Sequence, residues 1–274
     1  MTTTLQLNSG AHIPQIGFGT SQLATPAESV AKALTVGYRH IDTAQMYQNE
    51  TEVGQGLRNS GVPRGEVFIT TKLHNPHHDP ADVRRTFDES LQRLGLDYVD
   101  LFLIHWPMPF LQIDYVDTWK AVIELLETGR TTSIGVSNFQ PDHLERIIDA
   151  TGVTPAVNQI EIHPYFANNE LREFSKARGI VVEAWSPLGK GDELSDPVVT
   201  EIAEKHGKTP AQVVLSWHLQ RGDVAIPKSD TPSRIGQNFE VIGFELPDED
   251  MAAIDALDKG EAGRRSPHPN EVGK

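Results

Sequence analysis

Short apolar runs rich in β-branched residues recur along the chain, and amphipathic stretches with a helical period fill the intervals between them. Eight of these runs read as strands: IGFGT (16–20), RHIDTA (39–44), VFITTKL (67–73), VDLFLIHW (99–106), TSIGVSN (132–138), AVNQIEI (156–162), VVEAWSP (181–187) and DVAIPKS (223–229). The helical stretches include PAESVAKALTVG, DVRRTFDESLQRLG, YVDTWKAVIELLETG and PDHLERIIDATG, several closed by a glycine where a helix C-terminus favours one. Ahead of them, TLQL and HIPQIG flank NSGA and read as a small hairpin. Strand and helix alternate with no linker or compositional break, so a single domain over residues 1–274 is expected. A parallel strand pair needs a helical crossover, and eight such units can close on themselves. The pattern therefore predicts an α/β fold of the (β/α)8 TIM-barrel type with an N-terminal β-hairpin.

An open, doubly wound sheet is the competing architecture, and one that binds dinucleotides carries G-x-G-x-x-G after its first strand. Here GFGTSQ ends in Ser21 and Gln22 where the third glycine is needed, and GQGLRN ends in Asn59 inside a helical pattern. Neither makes that phosphate loop, which favours the barrel.

Composition narrows the function classes. With 23% charged and 38% hydrophobic residues, the 274-residue chain reads as globular and long enough to bury a sizeable core. A net charge of −14 argues against nucleic acid and anionic membrane as partners, although local basic pockets stay open. The absence of cysteine excludes disulfides, thiolate zinc sites and cysteine nucleophiles. The start, MTTTLQLNSG, has no basic and apolar leader pattern, and no apolar run reaches a membrane-spanning length, so a soluble cytoplasmic protein is expected.

In a barrel of this type the site forms at the C-terminal ends of the strands. The polar residues there are Asp42, Lys72, His105, Ser137, Asn138, Gln159 to Glu161, Trp185, Ser186, Lys228 and Ser229, with Tyr47 in the loop after the second strand. Taken singly, an aspartate there is an ordinary turn or cap residue, a lysine is ordinarily solvated and a histidine is ordinarily a satisfied core residue. Their convergence on one end of one barrel points elsewhere. Lys72 ends a strand buried on both faces, and Asp42 on the neighbouring strand is its natural counterion. A phenol held near that ammonium is expected to have its pKa lowered, which makes Tyr47 a usable general acid. His105 could then hydrogen-bond the oxygen that Tyr47 protonates. Protonation of a carbonyl oxygen, with hydride from a bound nicotinamide, fits these groups. Two other readings stay open: a lyase using Lys72 as a Schiff-base nucleophile, and a non-enzymatic sensor of the same nicotinamide cofactor. The histidines of HNPHHDP (74–80) lie in a proline-bearing loop without fixed register, so no metal site is assigned to them.

The motifs GYRHIDTAQMYQNE, ITTKL, DLFLIHWP, SIGVSNF, AVNQIEIHP and IPKS, followed by Arg234 and Asn238, run in one order over nearly the whole chain. In this they resemble the aldo-keto reductases, and within them the bacterial 2,5-diketo-D-gluconic acid reductases and their prostaglandin-F-synthase-like members. The resemblance implies a tetrad of Asp42, Tyr47, Lys72 and His105 with Tyr47 as proton donor. It implies NADPH/NADP as cofactor, its carboxamide held by Ser137, Asn138 and Gln159, its ring stacked on Trp185 and its pyrophosphate lined by Ser186, Pro187, Leu188, Gly189, Lys190 and Gly191. By the same resemblance Lys228, Ser229 and Arg234 grip the 2′-phosphate, Asn238 sits near the adenine, and Thr20, Ile226 and Gln237 are further cofactor-binding residues. A small-molecule carbonyl substrate, a monomer and a C-terminal loop over the barrel mouth are implied likewise. The chain departs from the family in Asp230, an acid beside the phosphate residues, and in His74 and Ser21 where an aromatic and an apolar wall residue are common. With Trp106 and His105 these suggest a polar substrate pocket suited to small or hydrophilic carbonyls and dicarbonyls.

Overall fold

The computed structural model describes residues 3–273. Strands β1 (Thr4–Gln6) and β2 (His12–Pro14) pair antiparallel as the predicted hairpin. Leu7 and Ile13 from this hairpin pack on Phe68, Leu101, Val157 and Val224, which lie at or near the starts of barrel strands, so the hairpin plugs the N-terminal end.

Eight parallel strands follow: β3 (Phe18–Gly19), β4 (His40–Asp42), β5 (Phe68–Leu73), β6 (Val99–Ile104), β7 (Thr131–Ser137), β8 (Val157–Glu161), β9 (Val181–Trp185) and β10 (Val224–Ala225). Each pairs with the next in sequence. The ring closes where Ile16 bridges Ala225, with the Gly17 amide donating to the Ala225 carbonyl at 2.9 Å and the Gly19 amide to Pro227 at 3.1 Å. This is the predicted (β/α)8 barrel rather than an open sheet. At the seam, a Cβ on Gly17 would lie 2.5 Å from the His40 ring, so only glycine lets the chain cross there.

Helices α1 (Pro26–Val36), α2 (Glu50–Ser60), α3 (Pro80–Leu94), α4 (Tyr115–Glu127), α5 (Pro141–Thr151) and α6 (Asn169–Lys176) each join consecutive strands. Two helices, α7 (Pro197–His206) and α8 (Pro210–Gln220), sit between β9 and β10, and α9 (Pro232–Phe239) and α10 (Asp248–Asp255) follow β10 ahead of the tail. Their boundaries follow local chemistry: the Asp79 side chain accepts the Ala81 amide, and Pro80 opens α3 where its missing N–H costs nothing. Val30, Val53, Phe87, Trp119 and Ile147 bury the inner helix faces against the strands.

Most strands are shorter than their apolar runs, β3 and β10 having two residues each. Several runs leave the ladder at their C-terminal ends. Asn138 (φ 64°) and Ser186 (φ 48°) adopt left-handed backbone there, releasing polar residues into loops. The tail crosses this same end. Arg265 and Ser266 give their amides to Glu161, the last residue of β8, at 2.7 and 3.1 Å. No helix among the described residues is long and apolar enough to cross a membrane.

Candidate active site

Asp42 ends β4, Tyr47 ends the 3-10 turn Gln45–Tyr47 just beyond it, Lys72 lies in β5 and His105 directly follows β6. The β4–β5 register sets Asp42 opposite Thr70. Lys72, two residues on, therefore emerges on the same face as Thr70 and can reach back to Asp42. Its ammonium donates to Asp42 Oδ1 at 2.7 Å, to the Thr43 carbonyl at 2.9 Å and to the Tyr47 hydroxyl at 3.4 Å. All three protons are spent, so a fully buried Lys72 has one orientation and a fixed charge. Removing either partner of such a buried pair costs about 3–5 kcal/mol, because the other charge is left without compensation.

Burial opposes the charge on Lys72, but Asp42 and Tyr47 outweigh it and the lysine pKa is raised, so the ammonium persists. For Tyr47 the balance runs the other way. Burial raises the phenol, the nearby Lys72 lowers it, and the net direction is up. The expected net lowering is thus corrected: the pull of the ammonium is present, but loss of hydration at the cleft floor exceeds it. Tyr47 accordingly holds its proton at neutral pH. Burial, with Lys72 and His74 adding to it, takes His105 well below the usual imidazole value, so its ring is neutral. That ring meets Tyr47 edge to face at 5.8 Å, and its Nδ1 has no hydrogen-bond partner among the described residues.

Asn138 gives its amide to the His105 carbonyl at 2.9 Å and to Ser137 Oγ at 3.0 Å, and accepts the Trp185 indole N–H at 2.9 Å. Trp185 is thereby fixed at the cleft wall. Ser137 passes its own hydroxyl to the Gln159 carbonyl at 2.8 Å and stays behind the wall. Gln159 spends its amide nitrogen on Asp42 and Glu183, each at 2.8 Å, which leaves only its side-chain oxygen for a ligand.

A cleft of about 980 Å³ runs from Tyr47 and His105 past Trp185 to Arg234 and Asn238. It is also lined by Asp42, Ser21, Trp106, Asn138, Gln159, Ser186, Pro187, Leu188, Lys190, Gly191, Ile226, Lys228, Ser229 and Gln237, as the strand-end reading and the resemblance anticipated. Thr20, Ser137, Lys72 and Gly189 lie behind its surface; Thr20 binds the Asp42 carbonyl through its hydroxyl at 2.9 Å. His74 departs from expectation. It does not line the cleft: its amide is held by Gln45 Oε1 at 2.8 Å and its ring packs edge-on against His77. The strand-to-loop turn after Leu73 sets where its ring lies, which the residue type alone does not encode. Sequence reasoning missed Gly19, Gln22, Met46, Leu194, Thr209 to Ala211 and Pro227, which complete the wall. Met46 lies inside the motif GYRHIDTAQMYQNE and Gln22 adjoins Ser21, and that adjacency was the available signal.

At the far end Lys228 is shared between Asp230 at 3.2 Å and the Gln22 carbonyl at 3.3 Å, while Asp230 also accepts the Ala24 amide at 2.8 Å. Arg234 is exposed and has no ion pair among the described residues.

Residues 15–259 match the family model described as Aldo/keto reductase family. An aldo-keto reductase of Mycolicibacterium smegmatis is 52% identical over 98% of each chain. The methylglyoxal reductase DkgA of Escherichia coli K12 is 46% identical over 99% of this chain and 98% of its own. A mutant of Gox0644 solved in complex with NADPH superposes with a TM-score of 0.95, at 47% identity and full coverage of both chains. With nearly its whole length aligned to these proteins, and with Asp42, Tyr47, Lys72 and His105 gathered at one end of the barrel, the chain belongs to the aldo/keto reductase family.

Proposed function

We propose that this protein is an NADPH-dependent oxidoreductase that reduces small or polar aldehydes, ketones and dicarbonyls to alcohols, working as a cytoplasmic monomer. What carries the reading is one juxtaposition: the Lys72 ammonium, its protons fully committed, lies 3.4 Å from a protonated phenol at the floor of a long cleft. The residues present fit the cofactor. Lys228, Ser229 and the unpaired Arg234 at the far end offer cations and donors to a 2′-phosphate, and the free side-chain oxygen of Gln159 suits a carboxamide. Bound there, the reduced nicotinamide would supply hydride to the carbonyl carbon.

The chain's own residues would do the rest. His105, neutral, donates to the carbonyl oxygen and orients it without adding charge. As the carbonyl π pair moves onto oxygen, Tyr47 transfers its proton to that oxygen. Lys72 then stabilises the phenolate until solvent returns the proton, and Asp42 keeps Lys72 in place. The lyase reading loses its nucleophile here, because an ammonium held by three acceptors has no lone pair to offer. Ser21, Gln22, Trp106 and His105 favour hydrophilic carbonyls, and a relative named for methylglyoxal, a dicarbonyl, agrees with that.

The test is absorbance of the nicotinamide band with NADPH and then NADH over glyoxals, diketones, aldoses and aromatic aldehydes. Oxidation of NADPH with polar carbonyls leading is expected. Tyr47→Phe should lose about 10²–10⁴ in turnover while still quenching on NADPH binding. A Tyr47→Phe protein at half the original rate would refute the proton donor, and binding without turnover on every substrate would establish the sensor instead.

A further inference from the structure

Below the tetrad lies an acid that the reaction scheme leaves unused. Glu183, in the middle of β9, is fully buried inside the barrel, opposite Gln159 on one side and Val224 on the other. Its Oε2 accepts the Gln159 amide nitrogen at 2.8 Å, and that same nitrogen donates to Asp42 Oδ2 at 2.8 Å. Asp42 in turn holds Lys72, and Lys72 reaches Tyr47. An unbroken chain of hydrogen bonds thus joins Glu183 to the phenol. On its other side Glu183 Oε1 has no hydrogen-bond partner among the described residues and lies 3.5 Å from Nε2 of His40, which also meets Thr70 Oγ1 at 3.1 Å.

The charges around Glu183 do not balance if it is ionised. From β4 it faces Asp42 and His40, from β5 Lys72 and Thr70, from β8 Gln159, and from β10 the apolar Val224; Tyr47 stands above. Lys72 is the one cation among these, and it is already paired with Asp42. His40 gives no second cation, because burial takes its pKa down to about 3, against the opposing Pro14 backbone and with Lys72 adding to the drop. A second carboxylate there would be a buried charge without a counterion, which costs several kcal/mol. Burial and the Asp42 charge push Glu183 up to about 8. A protonated carboxyl also removes the mismatch at Oε1, since its O–H has His40 Nε2 within 3.5 Å as an acceptor when the neutral ring carries its proton on Nδ1.

We propose that Glu183 is a positioning residue that works as a neutral acid beneath the tetrad. It pins the Gln159 amide, so that Asp42 stays committed to Lys72 and the Gln159 oxygen stays turned to the cleft. Its ionisation places a second negative charge under Tyr47 and weakens the phenol as a proton donor. The direction follows from Coulomb's law: an anion nearby disfavours the phenolate that proton transfer leaves behind. Reduction therefore declines on the alkaline side with the titration of Glu183, before Tyr47 itself titrates. This rests on the carbonyl-reductase reading for its kinetic consequence, but the protonation state of Glu183 is a property of the protein without cofactor.

The experiment has two arms. In the first, infrared spectra of cofactor-free protein carrying ¹³C-labelled glutamate carboxyls are compared with those of Glu183→Gln. A protonated-carboxyl band at neutral pH that fades above about pH 8 and is missing from Glu183→Gln is expected. In the second, Glu183→Gln, which keeps both hydrogen-bonding roles of the neutral acid, should reduce its carbonyl at close to the original rate near neutrality. It should also lose the alkaline limb, running several-fold faster than the unsubstituted protein about one pH unit beyond it. No protonated glutamate at neutral pH, or a pH profile unchanged by Glu183→Gln, would overturn the proposal. If the protein turns over no carbonyl at all, the infrared arm still decides it, and a Glu183→Gln chain that fails to fold leaves the titration of the labelled unsubstituted protein to do so.

Discussion

Lys228 meets a competitor two residues along the chain. Asp230 lies 3.2 Å from its ammonium, both groups are partly exposed, and a 2′-phosphate would have to share or displace that contact. Exposed pairs of this kind are worth about 0.2–1 kcal/mol, so the effect is modest. Asp230→Asn removes the charge while leaving an oxygen for the Ala24 amide. NADPH is then expected to bind about two- to fivefold more tightly with NADH little changed, as read from tryptophan fluorescence quenching. Equal shifts for both cofactors would mean that Asp230 acts only by holding the loop at Gln22–Ala24. Side-chain chemistry at this scale was partly legible beforehand. Asp42, Tyr47, Lys72 and His105 could be picked out because each ends or follows an apolar run, and such ends converge in a barrel. The sign of the Tyr47 shift was not legible, since it depends on how far the phenol is stripped of water. The direction taken by His74 depends on a turn, not on being histidine.

Between elements, α2 packs tightly against the end of α3. A Cβ on Gly54 would overlap the Leu94 carbonyl oxygen, which is backbone and has little room to give. Gly54→Ala gains up to about 1 kcal/mol of helix propensity but meets an overpacking cost of about 1–3 kcal/mol or more. Overpacking wins, and thermal melting should fall by roughly 2–4 °C for each kcal/mol lost. An unchanged or raised melting temperature would mean that the two helices can separate freely. Helix limits were readable to within a few residues, because Asp79, Pro80, Pro141 and the terminal glycines act locally. Strand limits were overextended at β3 and β10, where the apolar run continues past the last ladder bond into loops that serve the cleft.

Across the whole molecule, the tail is fastened to the barrel mouth through a buried histidine. His163 meets Glu161 at 3.1 Å and Glu193 at 2.9 Å; Glu161 holds the amides of Arg265 and Ser266, and Glu193 binds the Arg265 side chain at 2.9 Å. Burial alone would lower the His163 pKa, but its two carboxylate partners raise it. Burial likewise opposes the Glu161 and Glu193 carboxylates, but His163 and the tail contacts lower both pKa values. The raised histidine contributes stability that is complete below about 6.5 and is lost as pH rises through its folded value. The lowered glutamates contribute above about 4.5 and lose it as pH falls through theirs. His163→Gln should therefore cost most between those limits, on the order of 3–5 kcal/mol in urea unfolding, with the deficit shrinking toward alkaline pH. A deficit that does not vary with pH would assign His163 to packing alone. By itself the order of apolar runs and helical stretches determined the alternation of elements, the barrel class and which polar residues stand at the strand ends, because periodicity and capping act over a few neighbouring residues. Only the closed ring decided that Lys72 spends every proton, that Tyr47 is raised and not lowered, that Glu183 sits without a counterion and that His163 clasps the tail. Each of those depends on distances and on loss of water between segments far apart in sequence, and neither exists until the barrel has closed.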